Sequence, residues 1–272
     1  MPPHRDAALI GCRRLLEAPP PPPARPNMDL SARDGRGYRG NNPFSALGGW
    51  GRLHGDEREA LALNVLLLGD RQSGRSSVGN ALIGGEEFQT GGRVSGVSVT
   101  TECRLLSGTF RSFFRRKGAE SDLTLRVVDT PPLPPRPPAL RRSVRELCPE
   151  GVHVLALVVR ADLPYRNTHL EECAQTLFGP EWRHHSLLVL THADHLREAG
   201  LQPSLYLTQA TDSLRALADT VGGGVSFLDN SSDWPVIRGR ALRDGLLRLS
   251  AANRHSALTV RTGRCDGTEV SL

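Results

Sequence analysis

The stretch Ala62-Leu63-Asn64-Val65-Leu66-Leu67-Leu68-Gly69-Asp70-Arg71-Gln72-Ser73-Gly74-Arg75-Ser76-Ser77 decides the fold. Its first half is a continuous apolar run, which suits a strand buried on both faces. Its second half spaces Gly69 and Gly74 as in the pattern GxxxxGK[ST], with Ser76 in the hydroxyl position. Glycines at that spacing let the backbone curl so that its N–H groups point at a phosphate chain. A helix starting behind the loop adds a favourable dipole. Gly69, Asp70, Arg71, Gln72, Ser73, Gly74, Arg75, Ser76 and Ser77 are therefore the candidate phosphate-binding loop, and the Ser76 hydroxyl is a candidate Mg2+ ligand. The pattern departs at Arg75, where Lys is usual. Arg keeps the charge but replaces a compact ammonium with a planar fork.

Working outward, strands are expected at Leu105 to Phe114, Leu123 to Asp129, Val152 to Val159, Ser186 to Thr191 and Val225 to Leu228. Helices are expected over 76–83, 168–178, 203–221 and 235–252, several closed by Gly or Gly-Pro. Strands alternating with helices predict an α/β fold of the P-loop NTPase type. Its sheet is six-stranded, mostly parallel, and covered by helices on both faces. Residues 1–60 are rich in Pro, Gly and Arg and read as a disordered tail. Residues 61–253 read as the domain, and 254–272 as a short flexible tail.

Ligands in such folds sit beyond the carboxyl ends of the strands, and three further segments fall there. Asp129-Thr130-Pro131-Pro132 ends the third strand, and an Asp at that place suits a direct or water-mediated Mg2+ contact. The phosphate-sensing form of this motif is DxxG, whose Gly N–H meets the γ-phosphate. Pro132 has no N–H, and losing one hydrogen bond to a charged phosphate costs roughly 1.5–3 kcal/mol. That is about one to two decades of triphosphate preference. Thr191-His192-Ala193-Asp194 ends the fifth strand, where a carboxylate can accept from guanine N1–H and the 2-amino group. Asp229-Asn230 follows the sixth strand and offers polar groups to the base; a plain turn is an equal reading of Asn230.

Together these segments resemble the GTPases of immunity-associated proteins, the GIMAP or AIG-type G domain in the septin-like and Toc-like branch of G proteins. The resemblance is carried by Gly69 to Ser76, Ser98-Val99-Thr100-Thr101-Glu102-Cys103, Asp129-Thr130-Pro131, His153 to Val159, Thr168 to Gly179 and Leu190 to Asp194. Val159-Arg-Ala-Asp-Leu-Pro164 and Glu198-Ala-Gly-Leu201 bring it nearest to a short member of that family. It implies a cytosolic module that binds GTP or GDP with Mg2+ and can form a homodimer through its nucleotide face. It implies that Thr100 reaches Mg2+ as the first switch residue, with Thr101 the alternative register. Longer members carry coiled coils or membrane anchors. This chain ends about 20 residues past its last expected helix with neither, so tethering is not expected. Hydrolysis is expected to be weak or absent, because Arg75 replaces the loop Lys, Pro132 replaces the switch Gly, and no Gln follows it. No catalytic residue is assigned.

Composition narrows the alternatives. No apolar run approaches a membrane span, and the five cysteines show no metal-ligand spacing. Read as reduced thiols, they suit a cytoplasmic protein. The net charge of +5 is sharpest at Arg111-Ser-Phe-Phe-Arg-Arg-Lys117. That cluster reads as a solvated hairpin turn rather than a nucleic-acid surface, since no nucleic-acid motif accompanies it. A rival class remains open. Pro131, Pro134 and Arg136 form PxxPxR, as do Pro20, Pro23 and Arg25. Such segments dock SH3-type grooves, and would make this a nucleotide-independent scaffold.

Overall fold

The computed structural model describes residues 50–52, 59–88, 90, 102–116, 119–133, 137–166, 169–230 and 234–261. All belong to the compact unit Asn42–Leu272. In chain order the elements are β1 (Trp50–Arg52), β2 (Glu59–Gly69), α1 (Arg75–Ile83), β3 (Arg104–Arg116), β4 (Ala119–Asp129), α2 (Pro137–Leu147), β5 (Val154–Arg160) and α3 (Leu170–Phe178). After a 3-10 turn (Pro180–Arg183) come β6 (Ser186–Thr191), α4 (Ala193–Glu198), α5 (Pro203–Gln209), α6 (Asp212–Thr220), β7 (Val225–Phe227), α7 (Pro235–Arg238) and α8 (Arg240–Ala252).

The sheet runs β3-β4-β2-β5-β6-β7, with short β1 pairing antiparallel to β2. These are the six expected strands plus β1, which lies in the stretch expected to be loose. β2 pairs parallel with both β4 and β5, and β5-β6-β7 continue in parallel. Among the described residues, only the β3–β4 hairpin and β1 are antiparallel within this sheet. Strand order therefore reverses at β2, and the crevice beyond its carboxyl end is where such sheets bind ligands.

Alternation along the strands feeds two apolar layers. Leu66 and Leu68 of β2 join Leu155, Leu157, Leu188 and Leu190 beneath Val144 of α2, Ala174 and Leu177 of α3, and Leu214 and Leu217 of α6. Leu63, Val65 and Leu67 join Val127, Ala156, Val158 and Val189 beneath Val78 and Leu82 of α1 and Leu242 and Leu246 of α8. Burial on both faces explains why these strands read as unbroken apolar runs.

Four expectations need correction. The helix expected over 203–221 is two helices, because Thr211 leaves the helical conformation and its hydroxyl accepts the Leu214 N–H as an N-cap. The helix expected over 235–252 breaks at Gly239, which lies against the Ala81 carbonyl at the end of α1. Buried Arg243 pins that joint, donating to the Ala81 and Val236 carbonyls with its guanidinium over the Phe110 ring. The basic cluster is mostly strand rather than turn, since β3 reaches Arg116 and Arg115 pairs with Glu120 across the hairpin; Lys117 lies outside the described residues. Residues 254–261 are packed rather than loose. Leu258 bridges to Val152, and the Arg261 N–H donates to the Leu177 carbonyl. Helices α2 and α4 add to the expected set: a Pro-rich stretch masks the first, and the second is only six residues long.

At the amino end of β5, His153 is buried. Its Nδ1 accepts the backbone N–H of Asn64 at 3.0 Å, so the ring must stay neutral there. Burial, and then the neighbouring His255 and His185, push it down to about 4. A histidine whose folded value is depressed contributes full stability above its ordinary value near 6.5, and that contribution is lost as pH falls toward 4. Thermal unfolding followed from pH 7.5 to 4.5 should show a falling midpoint, worth roughly 3 kcal/mol once the ring is charged in the unfolded chain alone. A midpoint flat over that range would contradict this account.

Candidate functional site

The loop between β2 and α1 is shaped by close approaches that exclude side chains. A Cβ on Gly69 would lie 2.7 Å from the Val158 carbonyl oxygen and 2.4 Å from Ser73 Oγ. Gly74 has φ +90° and sits directly on the Thr191 side chain, 3.0 Å from where its Cβ would be. That left-handed backbone favours glycine. Gln72 also takes a left-handed φ of 59° at the loop tip. Helix α1 begins at Arg75 with no side-chain cap on Gly74 and no acidic residue in its first turn. No side chain of that first turn brings a carboxylate to its leading N–H groups. Ser73 Oγ is buried without a hydrogen-bond partner among the described residues, an orphaned donor inside the curl that suits a phosphate oxygen.

Ser76 and Asp129, from the starts and ends of different elements, meet: Ser76 Oγ donates to Asp129 Oδ2 at 2.7 Å. Hydroxyl and carboxylate oxygens side by side are the hard donors Mg2+ prefers, so these two residues fit the ion. Thr100 and Thr101 lie outside the described residues. Arg75 does not reach along the loop as a lysine would. Its buried guanidinium turns to the end of β4, donating from Nη1 to the Thr130 carbonyl at 2.5 Å and approaching Thr130 Oγ1 at 3.3 Å. Burial lowers its pKa, and the nearby Asp129 and Asp70 oppose that. Asp70 is raised by burial and held back by Arg75. Just past Pro132, the Leu133 N–H donates to the Gly69 carbonyl at 3.2 Å. The segment that follows β4 is thus stitched to the loop at two points, at Thr130 and at Leu133.

At the other end, Asp194 stands at the start of α4 and its Oδ1 accepts the Asn230 N–H at 3.1 Å. Asn230 Nδ2 lies 3.4 Å from His192 Nε2, and Asn230 Oδ1 is buried without a partner among the described residues. His192 holds a left-handed backbone and is kept toward neutrality by burial and by Arg160. Asp194, His192 and Asn230 therefore converge as expected. Thr191 reaches them through His192, whose Nδ1 lies 3.1 Å from the Thr191 hydroxyl oxygen. It is wholly buried, and its hydroxyl donates to the Ser73 carbonyl at 2.6 Å, so it braces the phosphate loop instead of facing a base. Three contributors escaped sequence reading. Thr130 ties its hydroxyl to the Leu67 carbonyl at 2.8 Å, and Asp162 pairs with His195, which lies beside Asp194. The charged Arg160-Ala161-Asp162 at a strand end was the available signal for the latter. Ser231 and Ser232 lie outside the described residues, as do Pro134 and Arg136. Pro137 and Pro138 open helix α2, a first-turn place proline tolerates.

An α/β sheet with a glycine-bounded loop at its switch point, a Ser–Asp pair beside it and a carboxylate at the next strand end define a P-loop nucleotide fold. A protein-family model described as the AIG1 family matches residues 63–236, and the chain belongs to that family. It is similar to immune-associated nucleotide-binding protein 12 of Arabidopsis thaliana, 31% identical over 185 residues covering 64% of this chain and 43% of that protein. Immune-associated nucleotide-binding protein 13 of the same plant is 29% identical over 184 residues, 63% of this chain and 50% of that one. The chain thus spans about half the length of these relatives or less. Among solved structures, Toc33 from Arabidopsis thaliana in complex with GDP and Mg2+ superposes with a TM-score of 0.50 at 22% identity, covering 74% of this chain and 88% of that one. That likeness confirms the fold. Among the described residues, no helix is long and apolar enough to cross a membrane.

The brace on the loop is testable. Thr191→Val keeps the shape but leaves the Ser73 carbonyl without its donor, and should cost about 1–3 kcal/mol in urea denaturation. An unchanged midpoint would show that the hydroxyl does not hold the loop.

Proposed function

We propose that this chain binds guanine nucleotide, with Mg2+, and turns GTP over very slowly or not at all. The observation that carries the reading is the 2.7 Å contact of Ser76 with Asp129 at the mouth of a glycine-bounded loop, with Asp194 at the end of β6, the strand that braces that loop. On this reading the loop N–H groups and the Ser73 hydroxyl bind the phosphates, and Ser76 and Asp129 hold the ion. Mg2+, when bound, neutralises phosphate charge. Asp194, framed by His192 and Asn230, accepts from the base. The immune-associated relatives named for nucleotide binding, and a structural neighbour solved with GDP and Mg2+, support it.

Slow turnover follows from the same geometry. Arg75 directs its fork to Thr130 rather than along the phosphate path. Leu133 is already bonded to Gly69, and Pro132 has no N–H to report a γ-phosphate. A segment anchored without the γ-phosphate has little left to gain from it, so triphosphate and diphosphate should bind alike. A homodimer through the nucleotide face and a cytoplasmic location belong to the same proposal.

Titration with fluorescent GTP, GDP and ATP analogues, with and without Mg2+, tests this. The expected result is guanine binding with GTP and GDP within about tenfold of each other, no comparable ATP binding, and no phosphate release in single turnover. Absence of binding at high micromolar protein would favour the scaffold alternative. Pro132→Gly should raise the GTP preference by about one to two decades.

A further inference from the structure

Five large apolar side chains are exposed among the described residues, and three of them fall together at α7: Trp234 at 76%, Ile237 at 65% and Val236 at 42%. Pro235 between them is buried. The mount beneath them is fixed. Gly239, at the end of α7, lies against the Ala81 carbonyl, and a Cβ on Gly84 would lie 3.5 Å from Val236 Cβ. Arg243 donates to both the Ala81 and the Val236 carbonyls. Helix α7 is thus fastened to the last turn of α1 while its apolar side chains stand in water. A lone chain gains nothing by holding an apolar cluster in water, and such patches mark contact surfaces. Charges of both signs rim this one. Past α1, Phe88 and Asn80 exchange two hydrogen bonds, at 2.9 and 2.8 Å. Glu86 and Glu87 are therefore exposed at the tip of a closed loop that starts at Gly84. Arg240, also exposed, opens α8 directly after Gly239, one turn of α1 away at Ala81.

We infer that the face built by Trp234, Val236 and Ile237 is an interface between two copies of this chain, paired about a two-fold axis. Such a pair lays the same patch on itself. The three apolar side chains of each copy form its centre, and the Glu86-Glu87 loop of each copy meets Arg240 of the other. A rim that carries both signs complements a second copy. An anionic lipid surface would instead meet Glu86 and Glu87 as like charges. The patch lies at the far end of α1 from the phosphate loop, nine residues along the helix, or roughly 13 Å. It is therefore a different surface from the nucleotide face, and the inference does not rest on the nucleotide reading. Three apolar side chains a side make a small centre beside the roughly 800 Å² per partner of a standard interface. The pairing is accordingly weak, with a Kd on the order of 10–100 µM.

Sedimentation of the full chain, free of nucleotide and in chelator, from about 1 to 300 µM tests this. A monomer–dimer equilibrium should appear across that range. Trp234→Ser combined with Ile237→Ser should weaken it more than about tenfold, with the urea midpoint unchanged because both side chains are exposed. Arg240→Glu, and separately Glu86→Arg with Glu87→Arg, should each weaken the dimer about tenfold by placing like charges across the rim. Mixed in equal amounts, those two charge variants should pair with each other as tightly as the wild type, because every rim contact then joins opposite charges. The inference is overturned by a wild-type chain that stays monomeric at the top of the range, or by a dimer unmoved by the Trp234 and Ile237 changes. A mixture of charge variants that pairs no better than either alone also overturns it. So does a dimer that forms only when GDP or GTP is added, which belongs to the nucleotide face. Wild-type protein that stays monomeric but pellets with phosphatidylcholine–phosphatidylserine vesicles, and loses that binding in the Trp234 and Ile237 variant, would assign the patch to a membrane instead.

Discussion

The Thr191 hydroxyl, donating to the Ser73 carbonyl at 2.6 Å beneath Gly74, fixes the loop to the sheet. The loop between β2 and α1 is also tied toward β4, by Arg75 to Thr130, by the Leu133 N–H to the Gly69 carbonyl and by Ser76 to Asp129. The Thr191 bond ties it to β6 on the other side. With it, the curl of N–H groups and the end of β6 become one rigid part. Asp194 follows three residues after Thr191, so the carboxylate at one end of the site and the phosphate loop at the other are set at a constant separation by a single buried bond. A buried hydroxyl–carbonyl pair contributes modestly to net stability but costs its full desolvation when one partner is removed, so it acts as a positional constraint.

Arg75 has a comparable effect on the other side. A lysine at this position would be a flexible point charge; the guanidinium is a planar fork that finds the Thr130 carbonyl and hydroxyl and stays buried there. Together with the Leu133–Gly69 bond, this fastens the segment that follows β4 to the loop by the protein's own contacts. A moving switch needs two arrangements that differ little in energy; here one arrangement carries several internal bonds.

The parts legible in the sequence were those written in long, unmixed signals. The strands announced themselves because helices bury both of their faces, which leaves apolar runs without polar interruption, as at Val65 to Leu68 and Val154 to Val159. The glycines of the loop and the carboxylates at strand ends were readable because their spacing reflects where the backbone must turn. What could not be read depends on contacts distant in sequence. The break at Gly239 follows from the Ala81 carbonyl, the role of Thr191 from Ser73, and the direction of Arg75 from Thr130. The split at Thr211 was within reach, since Thr-Asp-Ser is an N-cap signal, but the surrounding helical pattern outweighs it. Asp162 and His195 are ordinary surface types in sequence and become informative only once a strand end and a helix start bring them together.

Leu258 pairs with Val152 at the amino end of β5, and Arg261 bonds to the end of α3. Those contacts lie at the end of the sheet opposite the loops that follow β2, β5 and β6. The described residues thus end, at Arg261, on the side of the domain away from those loops. Anything joined at Arg261 itself would start from the base of the sheet and not from the crevice above β2.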